Sequence, residues 1–174
     1  MTDLQYPIGK YGPRPYSEEV KNEWLLDIEQ LPERLEYAIL NLDERPLHMP
    51  YRDGVWTLHQ LVHHVADSHI NAYIRFKWAL TENNPAIKTY DEKLWAKLND
   101  VKELPVNVSI TLLHALHLRW VGALKDLNED DWNKTLYHAE AKKELTLWFM
   151  LGYYAWHGRH HTAHINSLRE RMKW

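Results

Sequence analysis

Cysteine is absent from this sequence of 174 residues. Its absence excludes disulfide bonds, cysteine-ligated zinc and a cysteine nucleophile, and it is typical of a protein from a reducing compartment. The sequence also lacks the uninterrupted run of about 18 apolar residues that a membrane span needs. Its N-terminal region lacks the apolar segment of a secretory signal peptide. We therefore expect a cytoplasmic protein without a membrane partner.

Long blocks of like charge are missing as well. The formal net charge is −3, and the segment 169–173 mixes basic and acidic side chains, so nucleic acid is not an expected partner. The Walker A loop, the Gly-x-Ser-x-Gly elbow and the dinucleotide-binding glycine pattern do not occur. Glu-x-x-His does not occur either, which excludes a di-iron bundle of the ferritin type.

Apolar side chains recur at helical spacing in four long segments. Ser17 caps the first segment, and Pro32 is expected to kink that helix or to mark a restart. Thr57 and Gln60 form a capping box at the start of the second segment. Ser109 is the expected cap of the third. The predicted spans are 17–42, 58–81, 109–127 and 146–172.

Two long connections separate these helices, at 82–108 with a short helix and at 128–145 with short extended pieces. A connection as long as the first is often a lid or a pocket wall. Residues 1–16 are rich in Pro and Gly and predict an irregular arm. Its expected anchors are Tyr6, Tyr11 and Tyr16. We predict an all-α four-helix bundle with long connections, in which residues 17–174 form a single domain after the arm.

Four histidines fall within eight positions of the last predicted helix. Residues four apart lie on one helix face, so His157 pairs with His161, and His160 pairs with His164. Two imidazoles at this spacing can bind one metal ion. Burial favours His157 and His161, because the apolar line of the helix passes through His161. Gly158 stands where a zincin carries its catalytic Glu, which excludes a standard metalloprotease helix.

The second predicted helix supplies candidates for a third ligand. His69 lies on its apolar stripe, His64 lies on the polar line beside that stripe, and His63 points away from both. The spacing leaves His64 and His69 open. Asp67 and Ser68, one turn from His64, could supply the hydrogen bonds that metal ligands usually make, which favours His64. The alternative for His69 is a core imidazole bonded to a backbone or tyrosine partner.

The segment 57–67, Thr-Leu-His-Gln-Leu-Val-His-His-Val-Ala-Asp, and the His-x-x-x-His of the last helix resemble the DinB-like superfamily of metal-binding four-helix bundles. The similarity extends nearly end to end with its YfiT-type branch of metal-dependent hydrolases. The resemblance implies that His64, His157 and His161 bind one zinc or nickel ion per subunit of a homodimer. The wider superfamily often has Gln at the position of His164, so His164 could be a fourth ligand or a hydrogen-bond partner of a ligand.

Three neutral imidazoles leave one position of a zinc ion open, and water at such a position has a pKa near ~7. The expected function is therefore metal-dependent hydrolysis of a small-molecule substrate. Two alternatives stay open: an S-transferase that activates a low-molecular-weight thiol, and a non-enzymatic metal-binding protein whose site His164 closes. Candidates for catalytic or positioning roles are Asp67, Arg75 and Tyr154. The alternative for Arg75 is a surface salt bridge.

Overall fold

A computed structural model describes residues 4–174 of the chain. Four long helices form its body: α1 (Glu18–Ile39), α3 (Leu58–Thr81), α6 (Val106–Leu124) and α8 (Leu147–Met172). Short helices lie in the connections: α2 (Glu44–Leu47), α4 (Glu92–Trp95), α5 (Asn99–Glu103) and α7 (Glu129–Trp132). A small sheet has the order β1 (Ala86–Ile87), β2 (Thr135–His138) and β3 (Lys143–Thr146). β1 and β2 are parallel, and β2 and β3 are antiparallel.

The helices pack in an order that differs from their order along the chain. α1 packs against α6 and α8, and α3 packs against the same two helices. α1 and α3 therefore occupy opposite corners of the bundle, although they are consecutive long helices. This arrangement makes α3 and α8, the two histidine-rich helices, direct neighbours. The predicted four-helix bundle is confirmed.

Capping residues explain where most of the long helices begin. The Ser17 side chain accepts a hydrogen bond from a backbone N–H of α1, and Thr57 and Gln60 form the predicted capping box of α3. The predicted cap at Ser109 is wrong, because α6 already begins after Pro105. The Ser109 hydroxyl lies inside the helix, where it bonds to Nδ1 of His63 at 2.7 Å.

Pro32 lies inside α1, which continues through it without a break. The predicted helix restart is therefore wrong. Proline has no N–H, so the carbonyl group of Ile28, four residues earlier, loses its usual partner within the helix. Ile28 is fully buried, and a buried carbonyl needs another donor.

The core consists of two apolar clusters with a layer of histidines between them. The first includes Ile28, Phe76, Trp120 and Leu151, and the second includes Leu35, Leu61, Leu113 and Ile165. On α3, α6 and α8 the residues between the two clusters include buried histidines. We call these residues the histidine layer: His69, His117, His157 and His161. The bundle thus buries polar rings at mid-height, where each ring needs a partner.

The N-terminal arm, described from residue 4, has no helix or strand before α1 and lies along α8. The Tyr11 hydroxyl donates to the carbonyl group of Phe149, and the Trp156 indole donates to the carbonyl group of Gly9. Tyr6 and Tyr16 also contact rings of α8, so the three predicted anchors are confirmed. Among the described residues, no helix has the length and apolar character of a membrane span.

Gly158 provides a test of the packing between α1 and α8. A Cβ atom there would lie 2.7 Å from Cδ2 and 2.9 Å from Cδ1 of Leu31. We expect Gly158→Ala to lower the free energy of unfolding by about 1 kcal/mol, since overpacking costs ~1–3 kcal/mol and alanine returns ~1 kcal/mol of helix propensity. Gly122 of α6 has no atom within 4 Å of such a Cβ. In urea denaturation Gly122→Ala should stabilise the protein by about 0.8 kcal/mol; equal effects of the two substitutions would contradict the close helix approach.

Candidate metal site

Three buried imidazoles from α3 and α8 converge at the edge of the histidine layer. His64, His157 and His161 each offer a ring nitrogen, and these three nitrogens all lie within 4.8 Å of one another. The Nε2 atoms of His157 and His161 are 3.1 Å apart. Two nitrogens that bind one tetrahedral zinc at about 2.0–2.1 Å are separated by roughly 3.4 Å. The spacing therefore fits a shared divalent cation, and we call these residues the three-histidine cluster.

Burial keeps the imidazoles of the three-histidine cluster neutral, which is the form that binds metal. It lowers the pKa of His64 to about 4. It also lowers the pKa values of His157 and His161 well below 6.5, with a further contribution from the neighbouring imidazoles. The rings are thus neutral at pH 7, and a neutral imidazole nitrogen is the metal ligand. A cation would meet these lone pairs without first displacing protons.

The contacts of His161 are a second indication that a cation belongs in the cluster. Among the described residues, its Nδ1 atom is buried and has no hydrogen-bond partner, while its Nε2 atom faces the Nε2 atom of His157. When both facing nitrogens are unprotonated, two lone pairs are directed at each other, and neither can donate. A cation between them would satisfy both lone pairs. This arrangement fits a metal; without one, a proton on either Nε2 would let that ring donate to the other.

His69 lies outside the three-histidine cluster but touches it. Its Nε2 atom is 3.1 Å from Nδ1 of His157, and its Nδ1 atom is 3.0 Å from Nε2 of His117. The expected backbone or tyrosine partner of His69 is therefore wrong: both partners are imidazoles. The structure places His64 rather than His69 in the cluster.

His64 lies in the three-histidine cluster, but not for the reason expected from the sequence, which was hydrogen bonding by Asp67 or Ser68. Its ring nitrogens have no hydrogen-bond partner within residues 4–174, so Asp67 and Ser68 do not orient it by side-chain hydrogen bonds. The ring instead lies against Trp56, with the ring centres 4.6 Å apart. Packing, rather than a polar contact, fixes the orientation of His64.

His164 belongs to a separate pair. Its Nε2 atom lies 3.1 Å from Nε2 of His160, and its ring packs on Tyr51. The group of mutually close metal-ligand atoms found in the described part of the chain does not include His164. The three-histidine cluster thus has three protein donors, and a fourth position is not filled by His164.

A cavity of about 360 Å³ reaches the three-histidine cluster and is lined in part by His64 and His157. Other walls come from the two long connections, through Thr89 and Tyr90 of the first and Lys143 of the second. The expectation that the first connection forms a pocket wall agrees with this geometry. A small molecule in the cavity would lie next to the cluster.

Arg75 is buried in the wall of this cavity. Its Nη1 atom donates to the Tyr154 hydroxyl at 3.3 Å, and its Nη2 atom donates to the carbonyl group of Lys88 at 3.1 Å. None of the described carboxylates forms an ion pair with it, so the alternative of a surface salt bridge is wrong. The guanidinium is a buried positive charge without a negative partner.

Tyr154 lines the same cavity. Burial raises the pKa of Tyr154, although Arg75 and Ser68 oppose that shift. The phenol therefore stays protonated at neutral pH and accepts a hydrogen bond from Arg75. Arg75 and Tyr154 form a polar pair that faces the cavity.

Asp67 is half-buried and does not line the cavity. Burial, and then the nearby charge of Asp100, raise the pKa of Asp67 to about 6. Asp67 thus lies near Asp100 of α5 and is not part of the three-histidine cluster. The structure brings Arg75 and Tyr154 to the cavity and leaves Asp67 outside it.

Sequence reasoning missed two residues, Tyr90 in the cavity wall and His117 beside His69. The signal for His117 was present, because it lies between Leu113 and Trp120 on the inner line of α6. No sequence signal distinguished Tyr90, which sits in an irregular connection.

Comparison with known proteins agrees with a helical bundle and identifies its family. The family model of the DinB superfamily matches residues 27–165. A protein from Bacillus cereus, named "Putative metal-dependent hydrolase", is 54% identical over 175 residues and covers 100% of both chains. A protein of the same name from Bacillus anthracis has the same identity and coverage.

A solved structure is also similar to this chain. It is YfiT from Bacillus subtilis, described as "a probable metal-dependent hydrolase with an unusual four-helix bundle topology". The TM-score is 0.95 and the sequence identity is 46%, with 98% of each chain covered. Fold and sequence thus define a four-helix-bundle protein that is similar to proteins named as metal-dependent hydrolases. The chain belongs to the DinB superfamily.

Removal of one ligand tests the three-histidine cluster. We expect His64→Ala and His161→Ala, purified without a metal column, to lose about one equivalent of divalent metal per chain, because two imidazoles bind far more weakly than three. Both variants should stay folded, since two apolar clusters hold the bundle. The measurement is elemental analysis combined with circular dichroism.

The matched control is His160→Ala, which removes a buried histidine of the same helix outside the cluster. It should keep its metal. Loss of metal in this control would contradict the assignment of the cluster. Unfolding of His64→Ala at room temperature would instead indicate that the metal is structural.

Proposed function

We propose that this protein is a metal-dependent hydrolase in which His64, His157 and His161 hold one divalent metal ion. The observation that carries the proposal is the convergence of three neutral imidazoles at the edge of a cavity. A metal at this position would lower the pKa of a water molecule, so that a hydroxide nucleophile is available near neutral pH. Imidazole ligands suit both zinc and nickel, and we propose one of these two metals.

Arg75 and Tyr154, the polar pair at the cavity wall, would act on the substrate beside the metal. Arg75 would hold negative charge that develops on a carbonyl or comparable oxygen of the substrate, because its own charge has no partner in the fold. Tyr154 would orient the same group with its hydroxyl proton. Preorganised donors of this kind act strongly in a site that excludes water. Asp67 takes no part in the proposed step, since it lies outside the cavity.

The cavity limits the class of substrate. A volume of about 360 Å³ is at the lower end of the range for small-molecule sites, about 300–1,000 Å³. Its walls combine tyrosine rings with two basic side chains, Arg75 and Lys143, and two acidic ones, Glu92 and Glu140. We therefore propose a small substrate with a polar group. From the resemblance we further propose a cytoplasmic homodimer.

The number of donors separates an enzyme from a metal-storage or structural role. Structural zinc sites usually fill all four positions with protein ligands. Here His164 is paired with His160, and the cavity lies on the open side of the cluster. An accessible fourth position favours catalysis.

The reaction is tested on the metal-loaded protein with a panel of small esters and amides. We expect metal-dependent hydrolysis of at least one class, and no hydrolysis by His161→Ala. A parallel assay supplies a low-molecular-weight thiol and an electrophile. Metal-dependent consumption of thiol without hydrolysis would overturn the proposal in favour of an S-transferase. Bound metal without activity in either assay would favour a binding protein.

Arg75 is tested on the substrate that this panel identifies. We expect Arg75→Met to lower kcat/KM by about 10²–10³, with the loss mainly in kcat, because the lost interaction forms as charge develops. Arg75→Lys should restore only part of the activity, since an ammonium group lacks the two-pronged donor geometry. Arg45→Met, at an exposed arginine of α2, is the control. A kcat unchanged by Arg75→Met would show that Arg75 has no such role.

A further inference from the structure

A chain of hydrogen bonds crosses the bundle from the three-histidine cluster to α1. His157 of α8 contacts His69 of α3 at 3.1 Å, and His69 contacts His117 of α6 at 3.0 Å. Nδ1 of His117 then contacts the carbonyl oxygen of Ile28 in α1. Each of the four long helices contributes one group. We call His117, His69 and His157 the imidazole chain.

The carbonyl group of Ile28 sets the direction of the chain. It is free to bind His117 because Pro32 has no N–H to offer it within α1. A carbonyl oxygen can only accept, so Nδ1 of His117 must carry the proton of this bond. The tautomer of His117, at the end of the imidazole chain away from the metal site, is therefore fixed by a backbone carbonyl group, which cannot ionise.

This direction is transmitted from ring to ring. A neutral imidazole with a proton on Nδ1 has a bare Nε2, so Nε2 of His117 accepts from Nδ1–H of His69. The bare Nε2 of His69 accepts in turn from Nδ1–H of His157. The last ring is left with a lone pair on Nε2, the atom that faces Nε2 of His161. Each bond thus allows one tautomer of the next ring.

The geometry of the His69 and His117 rings supports bonding in the ring plane. Their planes are within 12° of parallel and their centres are 5.0 Å apart. With the nitrogens at 3.0 Å, this is an edge-to-edge arrangement rather than face-to-face stacking. Burial supports neutral rings: His69 is 0% and His117 is 1% exposed, and burial lowers the pKa of His117 to about 4. No described carboxylate hydrogen-bonds to a ring of the chain.

We propose that His69 and His117 are positioning residues that hold His157 in the Nδ1–H tautomer and direct its Nε2 lone pair to the metal. The proposal rests on the proposed metal site for its function, but the tautomers can be observed without any metal. His157 is the anchored ligand of the cluster. By contrast, within the described chain, Nδ1 of His161 is buried and has no such partner.

Long-range proton–nitrogen correlation spectra of the histidine rings test the tautomers in metal-free protein. We expect Nδ1–H and an unprotonated Nε2 in His117, His69 and His157. The same tautomers should persist after zinc is added, with a shift confined to Nε2 of His157 within the chain. An Nε2–H tautomer in any of the three rings would overturn the proposal, whatever the protein's activity. Zinc that fails to bind would instead contradict the proposed function.

Substitutions test the effect on the metal. His117→Phe removes the end of the chain and should weaken zinc binding by about 10–100-fold in competition with a chelator. His117→Gln supplies one donor and one acceptor, so it should recover part of that affinity. The control is His63→Phe, because His63 is also buried, in α3, and bonds to Ser109 and to the carbonyl group of Leu104.

A merely structural role would make the two phenylalanine variants alike. We expect both to lower stability, but only His117→Phe to weaken zinc binding and to populate the Nε2–H tautomer of His157. Equal zinc affinity in the two variants would overturn the proposal. If His117→Phe fails to fold, the same comparison is made with His69→Gln, which should weaken zinc binding because a single amide does not reproduce the ring geometry at both ends.

Discussion

Hydrogen bonding inside the histidine layer is the constraint on which the rest of this structure depends. Three helices, α3, α6 and α8, bring imidazoles into a region that apolar clusters enclose on both sides, and a buried polar group without a partner costs stability. The bundle meets that cost in two ways. His69 and His117 pair with neighbours and with a backbone carbonyl group, whereas His157 and His161 direct ring nitrogens at each other, where a cation fits.

The packing order of the helices makes this layer possible. α1 and α3 stand at opposite corners, so α8 touches both of them. One side of α8 can therefore share a metal position with α3, while Gly158 lets α1 approach closely on another side. The residue that replaces the glutamate of a zincin helix is thus a packing residue, and the side chains proposed for catalysis, Arg75 and Tyr154, lie in the cavity wall.

Sequence periodicity predicted much of the architecture and part of the site. The capping box at Thr57 and the span of α3 followed from local patterns, because the spacing of a helix is regular. The spacing left His64 and His69 open as the third candidate ligand, and the resemblance to the DinB-like superfamily favoured His64. The Ser109 cap and the restart at Pro32 were wrong for one reason. In both cases a partner distant in sequence, His63 for the serine and His117 for the Ile28 carbonyl group, bonds the polar group in question.

The sequence by itself determined the helices, the faces on which their histidines lie and the exclusion of cysteine chemistry, since these depend on residue type and spacing. Only the tertiary structure decided that His69 contacts a candidate ligand, that His164 pairs with His160, and that Arg75 is buried without a counter-charge. Each of these outcomes depends on which helices are neighbours. Helical periodicity determines the face of a residue but carries no information about the helix that packs against it.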